Sequence, residues 1–219
     1  MKKFFKSLML ISVCLGLSAT VNAKTFRYAT TGDILGLDPH ANNEGPTNTM
    51  KGNIYGRMLH RKADLSLEPD LATKWEKLDA NTWRFSLRRG VKFHNGNDFN
   101  ADDVLFSYKR QTQEASDMSF ALATIKQINK VDDYTVDLIT KGPDPILLLN
   151  MPMFYIVDKE WIEANNAFEV VRASGSTNFA NVNTNGTGPF KVVEWIQDTR
   201  IVLEPFKGYW GKNQIQHNL

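Results

Sequence analysis

The sequence predicts a mixed α/β fold behind a cleavable export signal. Three observations carry the fold class. Trp83, Phe85 and Leu87 alternate with Arg84, Ser86 and Arg88, the period of a strand with one buried and one solvated face. Met50, Ile54 and Met58 recur every four residues, the apolar stripe of a helix. Strand and helix patterns then intermix along the chain without strict alternation, and no repeat of fixed period or low-complexity tract interrupts them.

The elements follow in order. Lys2, Lys3 and Lys6, the apolar run Leu8–Ala19 and the small residues Val21-Asn22-Ala23 form an export signal over 1–23, cleaved after Ala23. The apolar run is too short to span a bilayer. Cys14 sits inside that run behind the bulky Val13, which argues against a lipid-attachment cysteine. Cleavage removes three of 26 lysines and arginines and no acid, leaving 23 bases against 24 acids. Such a balance does not steer the chain toward nucleic acid or a membrane surface. Cys14, the single cysteine, leaves with the signal, so the mature chain has neither disulfide nor thiol nucleophile and relies on its core.

Lys24–Thr30 reads as a first strand, followed by the polar loop TGDILGLDPHANNEG. After the Met50 stripe, LEPDLATKW leads into two strands around Asp79-Ala80-Asn81. Gly90–Val104, GVKFHNGNDFNADDV, is a strand–turn–helix joint. Asn100 is placed as N-cap, Asp103 three residues on completes a capping-box pair, and Asp102 and Asp103 suit the positive helix start. Ala101, Val104, Leu105 and Tyr108 then share one face. IKQINKV and YTVDLIT make a hairpin through Asp132-Asp133. Pro145–Val157 is an apolar stretch broken by Asn150 and Pro152 that reads as buried packing. DKEWIEANN is a short helix with Lys159, Glu160 and Glu163 outside. Residues 172–187 are Ser/Asn/Gly-rich and read as a long loop, and PFKVVEWI and RIVLEPF form a second hairpin through Asp198-Thr199.

Catalytic and metal signatures are missing from this pattern. His40, His60, His94 and His217 are 20, 34 and 123 residues apart, with no pair at metal-ligand spacing, and isolated histidines in polar loops are expected to be solvated. ASGST around Ser174 and Ser176 is no nucleophile elbow, and GTGPF does not end in a phosphate-cradling Gly-Lys-Ser. The residues therefore predict binding rather than reaction, with no catalytic group, metal or cofactor.

Leu67–Ser107 resembles the most recognisable block of the family 5 extracellular solute-binding proteins, the oligopeptide, dipeptide and nickel receptors of ABC importers. The matching residues are Pro69, Leu71, Ala72 and Trp75; Trp83, Phe85, Leu87 and Arg88; Gly90 to Gly96; and Ala101, Asp103 and Val104. Asn95 stands where the family's turn usually has Asp. GTGPF at 186–190 and EPFKGYW at 204–210 continue the match.

The resemblance implies a periplasmic binding protein type II-like fold, two lobes hinged about a ligand cleft. Residues 24–50 are expected to begin the first lobe, 51–181 to form the family's extra subdomain, and 182–219 to return to the first lobe, with the second lobe absent and the chain a fragment. The expected function is a periplasmic solute-binding component that delivers peptides to an ABC permease of the inner membrane, as a monomer and without nucleic-acid partners. Nickel chelates or other small solutes such as opines are the alternative ligands, and a non-binding remnant is the alternative role. The first lobe's share of the ligand site is implied to be the loop after strand one, placing Asn42, Asn43, Glu44 and Gly45 toward ligand, with Ser119 and Phe120 as a second contact.

Overall fold

The computed structural model describes residues 26, 27, 29, 30, 32–172 and 177–211. The chain divides into two compact units, Met1–Thr31 and Gly32–Leu219, and every element below belongs to the second. The expected export signal over 1–23 lies outside the described residues, as do His217, Ser174 and Ser176. Lys24, Thr25 and Tyr28 of the expected first strand also lie outside them, and Phe26, Arg27, Ala29 and Thr30 carry no strand.

Among the described residues, strand patterns and turn residues produce three separate antiparallel ladders. β1 (Leu59–Arg61) pairs with β2 (Leu67–Pro69). The largest sheet has the order β3 (Ala72–Lys77), β4 (Thr82–Leu87), β6 (Thr135–Thr140), β5 (Ile125–Asp132). Its register sets Phe85 against Val136 and Trp83 against Leu138. Among the described residues β7 (Phe190–Ile196) pairs only with β8 (Arg200–Pro205), turning where Asp198 adopts φ 57°. The hairpins thus turn where the sequence placed them.

One face of the four-stranded sheet is apolar, as alternation demands. Phe85, Val136 and Leu138 are fully buried there. The main core joins that face to α2 (Ala101–Gln111), through Ala101 and Val104, and to Leu147, Met151, Phe154 and Ile156. Each such side chain contributes about 1.5–3 kcal/mol by leaving water. The Pro145–Val157 stretch is buried as expected, broken into α3 (Leu147–Asn150) and a 3₁₀ turn at Met151–Met153. The opposite sheet face carries a two-pronged pair, Arg84 Nε and NH2 to Asp137, both 2.8 Å, on directly opposed residues.

The joint before α2 is built as its residues require. Asn100 Oδ1 accepts the Asp102 N–H at 2.7 Å, and Asp103 Oδ2 accepts the Asn100 N–H at 2.9 Å, a reciprocal capping box. α2 is nevertheless buried on more than the expected face. Leu105 and Tyr108 are only partly covered, whereas Phe106, Ser107, Arg110 and Gln111 are buried. The reason is a second core on its other side, formed by Ile34, Leu37, Met50, Ile54, Tyr155 and Ile162 among others.

Three further expectations are corrected. α1 (Gly45–Ile54) buries Met50 and Ile54 but stops there, because the chain turns extended at Tyr55; Met58 continues the spacing yet lies beyond the helix, in the main core. Residues 172–187 are not wholly loop, since Asn178 and Asn181 cap each other around a one-turn helix, α5 (Phe179–Val182). His40 and His94, expected in solvent, are buried. The short helix α4 (Lys159–Ala164) is as expected, capped by Asp158.

The turn motif and GTGPF are stitched to each other. His94 donates its backbone N–H to the Gly186 carbonyl at 2.8 Å and its Nε2–H to the Gly188 carbonyl at 3.0 Å. Burial holds its imidazole at a pKa of about 4, so it is neutral at pH 7. Asn95 N–H donates to Asn185 Oδ1, and the side-chain amides of Asn95, Asn97 and Asn185 converge on Asp158 Oδ2 at 2.7–2.9 Å. Gly188 N–H reaches back to the Ile54 carbonyl at 2.8 Å. A Cβ on Gly186 or Gly188 would overlap that carbonyl, which is why two glycines flank Thr187.

Candidate ligand-facing loop

The segment Gly36–Gly45 carries little regular structure and is held by polar anchors beneath it. Asp38 is wholly buried and meets Arg110 of α2 in a fork: NH1 to Oδ1 at 2.8 Å and NH2 to Oδ2 at 2.6 Å. Arg110 also donates from Nε and NH2 to the Ala167 carbonyl. Burial opposes the Asp38 charge, but the Arg110 charge and hydrogen bonds outweigh it and hold the carboxyl below its usual range. His40 completes the cluster. Its backbone N–H donates to Asp38 Oδ1, its Nδ1 accepts from Arg110 NH1 at 3.1 Å, and its Nε2 donates to the Tyr155 carbonyl at 3.0 Å. Burial, reinforced by Arg110, depresses the imidazole to about 3, so it is neutral with the proton on Nε2. With both nitrogens engaged, it has no lone pair left for a metal or a proton transfer.

Above these anchors the chain turns into α1. Glu44 is the N-cap, and its Oε1 accepts the Thr47 N–H at 2.9 Å. Asn48, one turn on, donates from Nδ2 to Asn43 Oδ1 at 2.8 Å. Lys51 is buried under the loop and donates from Nζ to the Asn42 carbonyl and, at 3.3 Å, to Asn48 Oδ1. Among the described residues the backbone N–H groups of Asn43, Glu44 and Gly45 meet no acceptor. Asn43 and Gly45 are exposed, Glu44 is half-buried and Asn42 is 7% exposed.

Ser119 and Phe120 open a 3₁₀ turn, Ser119–Leu122, with Ser119 half-buried and Phe120 exposed. The preceding residues dock this turn on the loop. Ser116 Oγ donates to the His40 carbonyl at 2.7 Å and Asp117 N–H to the Ala41 carbonyl at 3.3 Å. The two expected contact segments are therefore joined, by bonds falling just short of the expected residues on each side.

Sequence reading missed the anchors Asp38, His40, Lys51, Arg110 and Ser116. A signal for the polar underside existed in α2: Ser107 and Gln111 fall at i+3 and i+7 from the buried Val104, so the apolar stripe continues in polar residues. Ser107 Oγ accepts the Val157 N–H, and Gln111 bonds the Met118 and Met153 carbonyls.

Among the described residues one carboxylate group, Asp103, Asp158 and Glu160, has metal-like spacing. The oxygens of Asp103 and Asp158 are already taken by the N–H groups of Asn100, Lys159 and Trp161 and by the three asparagine amides. They serve as helix caps. Two cavities of about 760 and 700 Å³ are also present, one beside Arg57, Asp70 and Trp210 and one between Phe179, Val182 and Trp195; Leu37 of the loop lines the second, and residues 42–45 line neither.

The profile of bacterial extracellular solute-binding proteins, family 5 Middle, matches residues 66–217. The dipeptide-binding protein of Escherichia coli is 32% identical over 93% of the chain, and heme-binding protein A of Haemophilus influenzae is 31% identical over 85%. The chain spans 42% and 37% of the lengths of these relatives. Among solved structures, the periplasmic binding protein DppA of Helicobacter pylori in complex with the peptide STSA superposes with a TM-score of 0.70 at 30% identity. That match covers 82% of this chain and 38% of that one. OppA of Burkholderia pseudomallei, at 22% identity, shares the fold with a TM-score of 0.72 over 84% of this chain and 38% of its own.

Proposed function

The chain belongs to the family 5 bacterial extracellular solute-binding proteins, and from that premise we propose that it binds short peptides in the periplasm and hands them to an ABC permease of the inner membrane. In this reading 1–23 is the cleaved export signal and 24–50 opens the ligand lobe. Residues 51–181 form the extra subdomain and 182–219 return to the lobe. The division is supported by the pairing of the strands: the four-stranded sheet lies within 51–181, and among the described residues β7 and β8 pair only with each other.

The observation that carries the reading is the row of unpaired N–H groups at Asn43, Glu44 and Gly45, presented at the start of α1 over a buried polar anchor. Main-chain donors recognise main-chain carbonyls and ignore side chains, which suits a peptide of varied sequence. The Glu44 carboxylate among them disfavours a purely anionic ligand and suits one that also carries donors. Ser119 and Phe120, on the turn docked beside the loop, supply the second contact, with Phe120 offering an exposed ring. As a binding protein the chain needs no catalytic group.

Heme is the second reading, favoured by the 31% identity to heme-binding protein A. Thermal unfolding of the purified chain with Ala-Ala, trialanine, heme and nickel–histidine separates the two. A peptide at a hundredfold its Kd should stabilise the chain by about 2.7 kcal/mol. Stabilisation by heme or nickel–histidine with none from either peptide would replace the peptide reading.

A further inference from the structure

Lys51 of α1 is a buried cation beneath the loop. Its side chain lies under residues 38–45 with the whole residue 1% exposed, and burial, opposed by the charges of Asp38, Glu44 and Asp117, depresses its ammonium to a pKa of about 8. A buried cation costs stability that an apolar side chain of similar length would not. Its direct bonds go to the Asn42 carbonyl and Asn48 Oδ1, with the Tyr155 ring 5.8 Å away. The charged and titratable groups facing it are Asp38 and His40 of the loop, Glu44 at the helix cap and Asp117 of the docked turn. Arg110 stands behind Asp38, and Asp117 is itself paired with Arg172 at 2.8 Å.

What that bond achieves follows from peptide geometry. The Asn42 carbonyl and the Asn43 N–H belong to one planar trans unit, in which C=O and N–H point in opposite directions. Fixing the carbonyl inward on Lys51 aims the Asn43 N–H outward, to the side where Asn43 is exposed. Asn48 holds the Asn43 side chain from the same helix. We propose that Lys51, assisted by Asn48, is a positioning residue for ligand binding: its ammonium clamps the Asn42 carbonyl so that the Asn43–Gly45 N–H row faces the ligand. This rests on the reading of that row as the ligand face.

The signs of two pH effects separate positioning from simple stabilisation. Folding lowers the Lys51 pKa from 10.5 to about 8. Between those values the unfolded chain binds more protons, so the Lys51 contribution to stability rises with pH. The clamp weakens over the same range, because the neutral amine is a poorer donor than the ammonium. Ligand affinity therefore falls through about pH 8 while this term makes the fold more stable.

The test measures Ala-Ala affinity from about pH 6 to about pH 10 for the wild-type chain, Lys51→Met and Asn48→Ala, together with amide exchange at residues 42–45 without ligand. Wild-type affinity is expected to fall about tenfold across the range, a loss of the order of one charge-assisted bond. Lys51→Met should be weak and should keep only the pH dependence that the α-amino group of Ala-Ala itself brings, which titrates at about 8, so its profile should be shallower than that of wild type. Asn48→Ala, a surface change that keeps the fold, should bind more weakly with the wild-type pH trend. Exchange at Asn43–Gly45 should be faster in Lys51→Met and should rise with pH more steeply in wild type than base catalysis alone provides. An unchanged pH profile and unchanged loop exchange in Lys51→Met would overturn the proposal. Should wild type ignore Ala-Ala at every pH, the peptide reading fails, and loop exchange still decides whether Lys51 sets the loop.

Discussion

At the scale of single residues, a small number of buried charges decide where the loop sits. Asp38 and Arg110 are both fully buried and neither has water to fall back on. Asp38→Asn keeps the shape but leaves the Arg110 guanidinium uncompensated, and removing one partner of such a pair costs about 3–5 kcal/mol. Urea unfolding should show that loss. A loss under about 1 kcal/mol, the range of exposed pairs, would mean the pair is solvated. Because folding lowers the Asp38 pKa from 3.8, its contribution is whole at neutral pH and is lost only as pH falls below that value through the folded pKa. Capping residues are legible in sequence because their chemistry is local: Asn100 and Asp103 act three residues apart, as their spacing says. His40 is not legible, because its partners stand 70 and 115 residues away. A histidine in a polar loop and a histidine in a buried anchor look alike until the chain folds.

At the scale of elements, periodicity found the hairpins and failed where one element replaces another at the same spacing. Met58 keeps the phase of Met50 and Ile54, yet α1 ends before it, because Gly56 must pass against Leu71 and Thr187. The GTGPF segment is the counterpart of that ending. Gly188 N–H takes up the Ile54 carbonyl that the stopped helix leaves free, and His94 clasps both glycines from the turn. GVKFHNG and GTGPF therefore resemble the family's motifs for a structural reason: each exists to fit the other, and neither faces the loop. Gly186→Ala places a methyl group on backbone that cannot yield, so it should cost about 1–3 kcal/mol or more. Its effect should be equal with and without ligand when melting temperatures are compared. A neutral Gly186→Ala would show that the junction is loose.

At the scale of the whole molecule, the sequence made the fold class and the family legible, because both are written in long patterns over the well-ordered strands and their turns. The proposed ligand face was legible only as a position in the chain, since its form depends on the anchors of α1, α2 and the 116–120 turn arriving beneath it from distant segments. A peptide is proposed to lie along this supported row of N–H groups. Amide hydrogen exchange with and without saturating Ala-Ala tests that most directly. Slowed exchange is expected at residues 43–45 and around Ser119 and Phe120, with the cavities beside Arg57 and Trp195 unchanged. Protection at either cavity in place of the loop, or protection of the loop by heme and by no peptide, would contradict it.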